Sequence, residues 1–321
     1  MDNSRAEDIG VAEQIAVLGG TGFIGREMIA RWPASDRARL RILIHRSYPA
    51  WLKSCGAAVL QLDLTDCTQI EQALSGASTL INLLRPHGDG WLQDMVGRLV
   101  EVLPRTQVHR LVHASSIDVY GATTAATVTE ETTPVPQTGY EREHLAVETM
   151  IERLSVEVRI ARLGAIFGVG GRNIVAFVEE AQYAPNWKLA ARRALYGRRR
   201  MHLVSVEKAA DAIRFLALND EPLEGRFLVT DDDALENNFA YLQDLLMRQY
   251  GRGSLEWVPE LPSGALRAAL ALRGRKGADP MRRFSADRLR NAGFNSESFT
   301  ACLLHYVQSL RPVRPRHENL A

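Results

Sequence analysis

Three cysteines in 321 residues are too few and too scattered for a disulfide framework. Cys55, Cys67 and Cys302 are odd in number and lack metal-ligand spacing, so they read as reduced thiols and no metal is expected. The chain also has no apolar stretch near the ~18 residues that span a bilayer. Residues 1–10 are polar and acidic, without the pattern of a signal peptide. Neither sign of charge prevails: 39 Lys and Arg against 38 Asp and Glu leave +1, which gives no whole-molecule reason for a nucleic-acid or membrane partner. These absences lead to the expectation of a cytoplasmic, soluble protein. A hydrophobic content of 46% with 24% charged residues suits a sizeable core, in one large domain or two closely joined ones.

What the chain does have, near its start, is glycine in a pattern. Residues 14–25 read QIAVLGGTGFIG: an apolar run that breaks into Gly19, Gly20, Gly22 and Gly25, followed by Met28, Ile29 and Trp32 at helical spacing. Read from Gly20 the spacing is G-x-G-x-x-G; read from Gly19 it is G-x-x-G-x-x-G. Strand, glycine turn and helix in that order form a dinucleotide-binding unit. The turn needs backbone angles that other residues resist, and any Cβ would block a pyrophosphate approaching the main chain. The helix N-terminus behind it is an anion site. Gly19, Gly22, Phe23, Ile24 and Gly25 are therefore candidate cofactor-binding residues, against the plain alternative of a turn with no ligand.

The second strand, Leu40–Ile44, runs into His45-Arg46-Ser47, where an NAD-binding fold carries an acidic residue for the ribose 2′-hydroxyl. No carboxylate stands here. The guanidinium of Arg46 suits a 2′-phosphate, so NADP is the preferred cofactor and NAD the alternative; a solvated surface arginine is the plain reading. Strand 58–62 ends at Asp63-Leu64, where the aspartate could accept from an adenine amino group or cap a turn. Further strands at 79–83, 110–115 and 158–163 alternate with helices at 91–103 and 140–154. This alternation predicts an α/β fold, a doubly wound parallel (Rossmann) sheet with ligands at the carboxyl ends of its strands. The expected division is a dinucleotide-binding domain over 1–163 and a smaller, mostly helical substrate lobe over 164–321. A segment around 200–230 is expected to return to the main domain, with 227–230 as a strand. Prolines and glycines from Pro259 to Pro280 punctuate the lobe's short helices, 299–310 among them, and residues 312–321 are expected to form a mobile tail.

Two further motifs carry chemistry. The fifth strand leads into ASSIDVYG, residues 114–121, and after the loop EETTPVP comes YEREHLAVE, residues 140–148. With the GGTGFIG turn and the Asp63-Leu64 pair, these segments resemble the extended short-chain dehydrogenase/reductases of the NAD-dependent epimerase/dehydratase family. RLGAIFGVGG at 162–171 resembles the family's strand exit R-P-x-N-x-Y-G-P-G. The likeness covers about residues 15–217.

The resemblance implies an NAD(P)-dependent oxidoreductase or epimerase acting on a hydroxyl or keto carbon, with a nucleotide sugar the leading substrate class. Ser116 would hold the reacting oxygen and Tyr140 would be the general acid/base. In the family a lysine four residues on lowers the tyrosine's pKa and holds the nicotinamide ribose; on a helix both side chains share a face. Position 144 is histidine, so His144 is the candidate for that place, in catalysis and in cofactor binding. Ala165 stands for the family's asparagine and Lys208 for a later aspartate. The silent alternatives are a dinucleotide-binding protein with little or no turnover, in a structural, assembly or redox-sensing role, and a ketone reductase on a non-sugar substrate. The expected partners are a small molecule and a second copy of the chain in a homodimer. Six basic residues with no acid between 188 and 200 predict either a diphosphate clamp or a solvated basic loop. His202 is expected to be a hydrogen-bonded strand residue or to face the cleft. Tyr120 and Gly121 would shape its wall, and His87, Asp89 and Trp91 form either a loop at the pocket or a turn and helix start.

Overall fold

A computed structural model describes residues 13–46, 48–272 and 279–310. Ser47, Gly274, Gly277, the acidic residues 1–10 and the tail 312–321 lie outside the described residues. In chain order the elements are β1 (Gln14–Leu18), α1 (Phe23–Arg31), β2 (Leu40–Ile44), β3 (Ala58–Gln61), α2 (Cys67–Leu74), β4 (Ala77–Asn82), α3 (Trp91–Val102) and β5 (Arg110–Ser116). Then come β6 (Thr127–Val128), α4 (Gly139–Ile151), β7 (Glu157–Leu163), β8 (Ala165–Phe167), α5 (Val175–Tyr183), α6 (Asn186–Tyr196), β9 (Leu203–Ser205) and α7 (Val206–Leu218). The chain continues through β10 (Gly225–Val229), α8 (Phe239–Gln249), α9 (Ser263–Leu272), β11 (Arg283–Phe284), α10 (Asp287–Asn291) and α11 (Phe299–Ser309).

Seven of these strands form one sheet in the order β10-β7-β5-β4-β1-β2-β3, and every neighbouring pair is parallel. Parallel strands need crossovers that put helices on both faces, so central strands are apolar on both sides. β1 shows this directly. Ile15 and Val17 join Met28, Ile29 and Ile213 in the core under α1 and α7, while Ala16 and Leu18 join Leu74, Leu99 and Val147 under α2, α3 and α4. The order reverses at β1, which has β2 on one side and β4 on the other. Ligands of such sheets sit at this switch point, above the strands' carboxyl ends.

The C-terminal half contributes to both layers. α7 packs against α1, and β10 adds to β7 with Phe227 opposite Ala161. A separate core gathers Phe167, Val178, Leu246, Phe299 and Leu303 from α5, α8 and α11, forming the helical lobe. Two-stranded parallel pairs, β8 with β9 and β6 with β11, tie this lobe to the carboxyl end of the sheet. No helix among the described residues is long and apolar enough to cross a membrane. Cys55, Cys67 and Cys302 are free thiols.

Candidate active site

The glycine turn stands between β1 and α1, and its four glycines serve different ends. Gly19 has φ +77°, and a Cβ there would lie 2.9 Å from the Leu83 carbonyl carbon on the neighbouring strand exit. At Gly25 a Cβ would fall 2.6 Å from the Gly19 oxygen and the Gly20 Cα, and at Gly20 it would press on Ile42 at 2.9 Å. Those three are demanded by the protein's own packing. Gly22 is exposed, and a Cβ there would meet only the Gly19 oxygen, at 3.1 Å. It also occupies the N-cap of α1, where no side chain caps the helix. The turn thus presents bare backbone and an open helix N-terminus, which is the cradle a pyrophosphate requires. Phe23 and Ile24 are half-buried; Phe23 lies under the loop after β8, close to Gly168 and Gly171.

A cavity of about 410 Å³ opens beside this turn, lined by Gly19, Thr21, Ile44, His45, Arg46, Leu64, Leu84, His87 and residues of α3. Arg46 is exposed on this wall. Leu64 lines the cavity while Asp63 does not. The Asp63 carboxylate accepts from Thr65 N at 2.9 Å and Thr65 Oγ1 at 2.8 Å, so it caps a turn. The His87 and Trp91 rings meet on the same wall with centroids 5.0 Å apart and their planes tilted by 53°.

Ser116 ends β5 and Tyr140 starts α4. The short turn Ile117–Tyr120 begins with Ser116 Oγ accepting from Asp118 N at 3.1 Å, which fixes the serine rotamer. Thr138 and Glu141 form a capping box that sets the start of α4 and hence the place of Tyr140. The two hydroxyls lie side by side, close enough for Ser116 to act on the phenol's ionisation. Loss of hydration pushes the Tyr140 phenol above its ordinary value, and the charge of Asp118 adds to this; the Ser116 hydroxyl and the charge of Arg85 oppose it. Asp118 and Arg85 carry no sequence signal, because both reach the phenol only through turns that fold beside it.

His144 sits one helical turn beyond Tyr140, with the rings edge to face at 4.6 Å. It is only 2% exposed, and neither ring nitrogen has a hydrogen-bond partner. Behind it stands His113 of β5, fully buried and equally unpartnered. Burial pushes His113 down to about 4; burial first, and His113 second, push His144 to about 4. Both are neutral at pH 7. A second cavity of about 400 Å³ lies on the other side of Tyr140, between the loop 86–90 and α4. Gly88, Asp89 and Gly90 all have positive φ in this loop, and Glu143 of α4 accepts from Leu92 N at 2.8 Å, joining α4 to the start of α3.

The support for α4 is a buried ionic network. Glu148 and Arg162 are both fully buried and paired at 2.5 Å; Ser115 Oγ donates to Glu148 at 2.5 Å, and Arg162 donates to the Tyr120 hydroxyl at 2.6 Å. Tyr120 is buried and donates to the Thr129 carbonyl at 2.8 Å, so it is a wall residue. A Cβ at Gly121 would lie 2.1 Å from the Val135 oxygen, which fixes that residue as glycine too.

The basic segment 188–200 is neither a free clamp nor a solvated loop. Most of it is α6, and acids outside the segment pair with four of its cations: Glu180 with Lys188 and Arg192, Asp244 with Arg193, and Glu260 with the exposed Arg198. His202 has φ +52° and is bound to the buried Asp232 at 2.6 Å, while Lys208 pairs with Asp231 at 2.5 Å.

A model of the NAD-dependent epimerase/dehydratase family matches residues 15–229. The Sinorhizobium fredii protein y4nG is 25% identical over 177 residues, a span of 51% of this chain and 44% of that protein. Among solved structures, UDP-N-acetylglucosamine 4-epimerase from Bacillus cereus is similar with a TM-score of 0.69 at 16% identity, covering 94% of this chain and 99% of that one. Human epimerase family protein SDR39U1, solved with NADPH, gives 0.63 at 16% identity over 92% and 100% of the two chains. These likenesses concern the fold. The match of the family model from β1 through β10, on a seven-stranded Rossmann-like sheet, places the chain in the NAD-dependent epimerase/dehydratase family.

Proposed function

We propose that the protein uses NADP(H) to interconvert a hydroxyl and a keto carbon, with a nucleotide sugar as the substrate class. The observation that carries this reading is the placement of Ser116, at the end of β5, beside Tyr140, at the start of α4, at the carboxyl ends of the strands that also carry the bare glycine turn. The nicotinamide, when bound, supplies or takes the hydride. Ser116 holds the substrate oxygen, and Tyr140 moves its proton. The phenol's raised pKa keeps the proton on Tyr140 at neutral pH, which serves the keto-to-hydroxyl direction alone; the reverse direction needs the phenolate that a neighbouring cation favours. Arg46 supports the choice of NADP, and the nucleotide-sugar class is supported by the likeness to UDP-N-acetylglucosamine 4-epimerase.

The second reading, a dinucleotide-binding protein with little turnover, is favoured by one observation: a buried, neutral His144 stands where an ammonium would assist the phenol. One experiment separates the two. Nucleotide sugars and simple ketones are screened with NADP(H) and NAD(H), following nicotinamide absorbance and analysing products for epimers. Tyr140→Phe is expected to abolish turnover while dinucleotide affinity stays within about twofold, since only the proton carrier is removed. His144→Lys is expected to raise turnover near neutral pH and shift the rising limb of the pH–rate profile downward. Unchanged turnover in Tyr140→Phe overturns the acid/base role. Silence in both the wild type and His144→Lys gives the case to the binding protein.

A further inference from the structure

The helix that walls the 410 Å³ cavity carries a cation that faces the same space as Arg46. Trp91, Met95 and Arg98 of α3 all line it, at i, i+4 and i+7, so one helical stripe ends in a guanidinium. Arg98 is half-buried and donates to the Asp94 carbonyl, one turn back in its own helix, at 3.3 Å. Among the described residues neither Arg46 nor Arg98 makes an ion pair. Arg105, Arg110, Arg159 and Arg162 are each held by a glutamate. Among the described residues no carboxylate lines the cavity. Asp63, outside the lining, accepts from Thr65 N and Oγ1 through one carboxylate oxygen.

Two guanidinium groups that share a cleft without an acid repel one another, and an anion between them relieves this. A neutral purine does not call for two cations; Leu64, Met95 and Trp91 already give it an apolar bed. We infer that Arg98 is a second specificity-determining residue for the cofactor, closing with Arg46 from the opposite element on the 2′-phosphate of the adenosine ribose. The inference rests on the NADP(H) reading above and adds a residue outside the strand-two position.

Calorimetric titration of the purified protein with NADP and NAD tests it, using Arg46→Ala, Arg98→Met and Arg98→Lys. Methionine keeps the aliphatic stem that packs along α3, and a thermal melt confirms folding of each variant. Arg98→Met is expected to weaken NADP about ten- to a hundredfold, the loss of one charge-assisted contact. NAD affinity should stay unchanged, and Arg98→Lys should recover part of the loss. The salt dependence of NADP binding should flatten in Arg98→Met. Equal loss for NAD and NADP, or no loss for either, overturns the role of Arg98, while Arg46 and the NADP reading stand if Arg46→Ala weakens NADP and leaves NAD unchanged. Equal affinity of the wild type for both dinucleotides overturns the NADP reading and this inference with it.

Discussion

A methyl group added at Gly22 would meet a single protein atom, whereas one added at Gly25 would run into three backbone atoms of the turn. The two glycines should therefore fail in different ways. Gly22→Ala is expected to melt within a few degrees of wild type yet bind dinucleotide at least tenfold more weakly, because the added carbon projects into the pyrophosphate's approach. Gly25→Ala should unfold at markedly lower temperature whether or not cofactor is present. Melting curves with and without NADP, beside a titration, check both. If Gly22→Ala binds normally, the cradle is not where the dinucleotide rests. The glycine spacing alone marked all four positions as one motif; only the packing separates the residue that a ligand needs from those the fold needs.

At the scale of the element, α4 carries Tyr140 and His144 on its first turns and Glu148 on its third, so chemistry and anchorage share one helix. The Glu148–Arg162 pair is fully buried. Glu148→Gln would leave Arg162 charged with its main partner gone, a change expected to cost about 3–5 kcal/mol. Urea denaturation measures this, and a loss below about 1 kcal/mol would show that the network is not what fixes the helix. Much of this architecture was legible beforehand, since most of the strands are apolar runs and α3 shows an apolar stripe at helical spacing. Legibility failed where partners lie far apart in the chain. Asp244 and Glu260 lie roughly fifty or more residues beyond α6, and nothing in the sequence shows that they, or Glu180 on the preceding helix, face it, so α6 read as an uncompensated basic stretch. Arg85, His113 and Arg98 were missed for the same reason: each becomes a site residue only when a loop, a strand and a helix converge.

For the whole molecule, His113 and His144 make stability depend on acid. Their native pKa values, pushed from 6.5 to about 4, mean the unfolded chain binds protons first as pH falls. Their contribution is complete above pH 6.5 and is lost progressively down to about pH 4, roughly 3 kcal/mol for each. Urea titrations across that window should show the fall, and His113→Phe should flatten it; an equally steep fall in that variant would assign the acid sensitivity elsewhere. The order of the sheet has a consequence of another kind, in time. β7 is enclosed by β5, which precedes it, and by β10, which follows only after the lobe's first helices and α7. Its backbone edge and buried side chains therefore await a partner that lies roughly sixty residues downstream, on the order of 3–12 s of synthesis. During that interval a nearly finished sheet ends in an open parallel edge, the kind that pairs with other chains. The nascent protein is most exposed to aggregation after its first six sheet strands have been made, and the arrival of β10 covers β7.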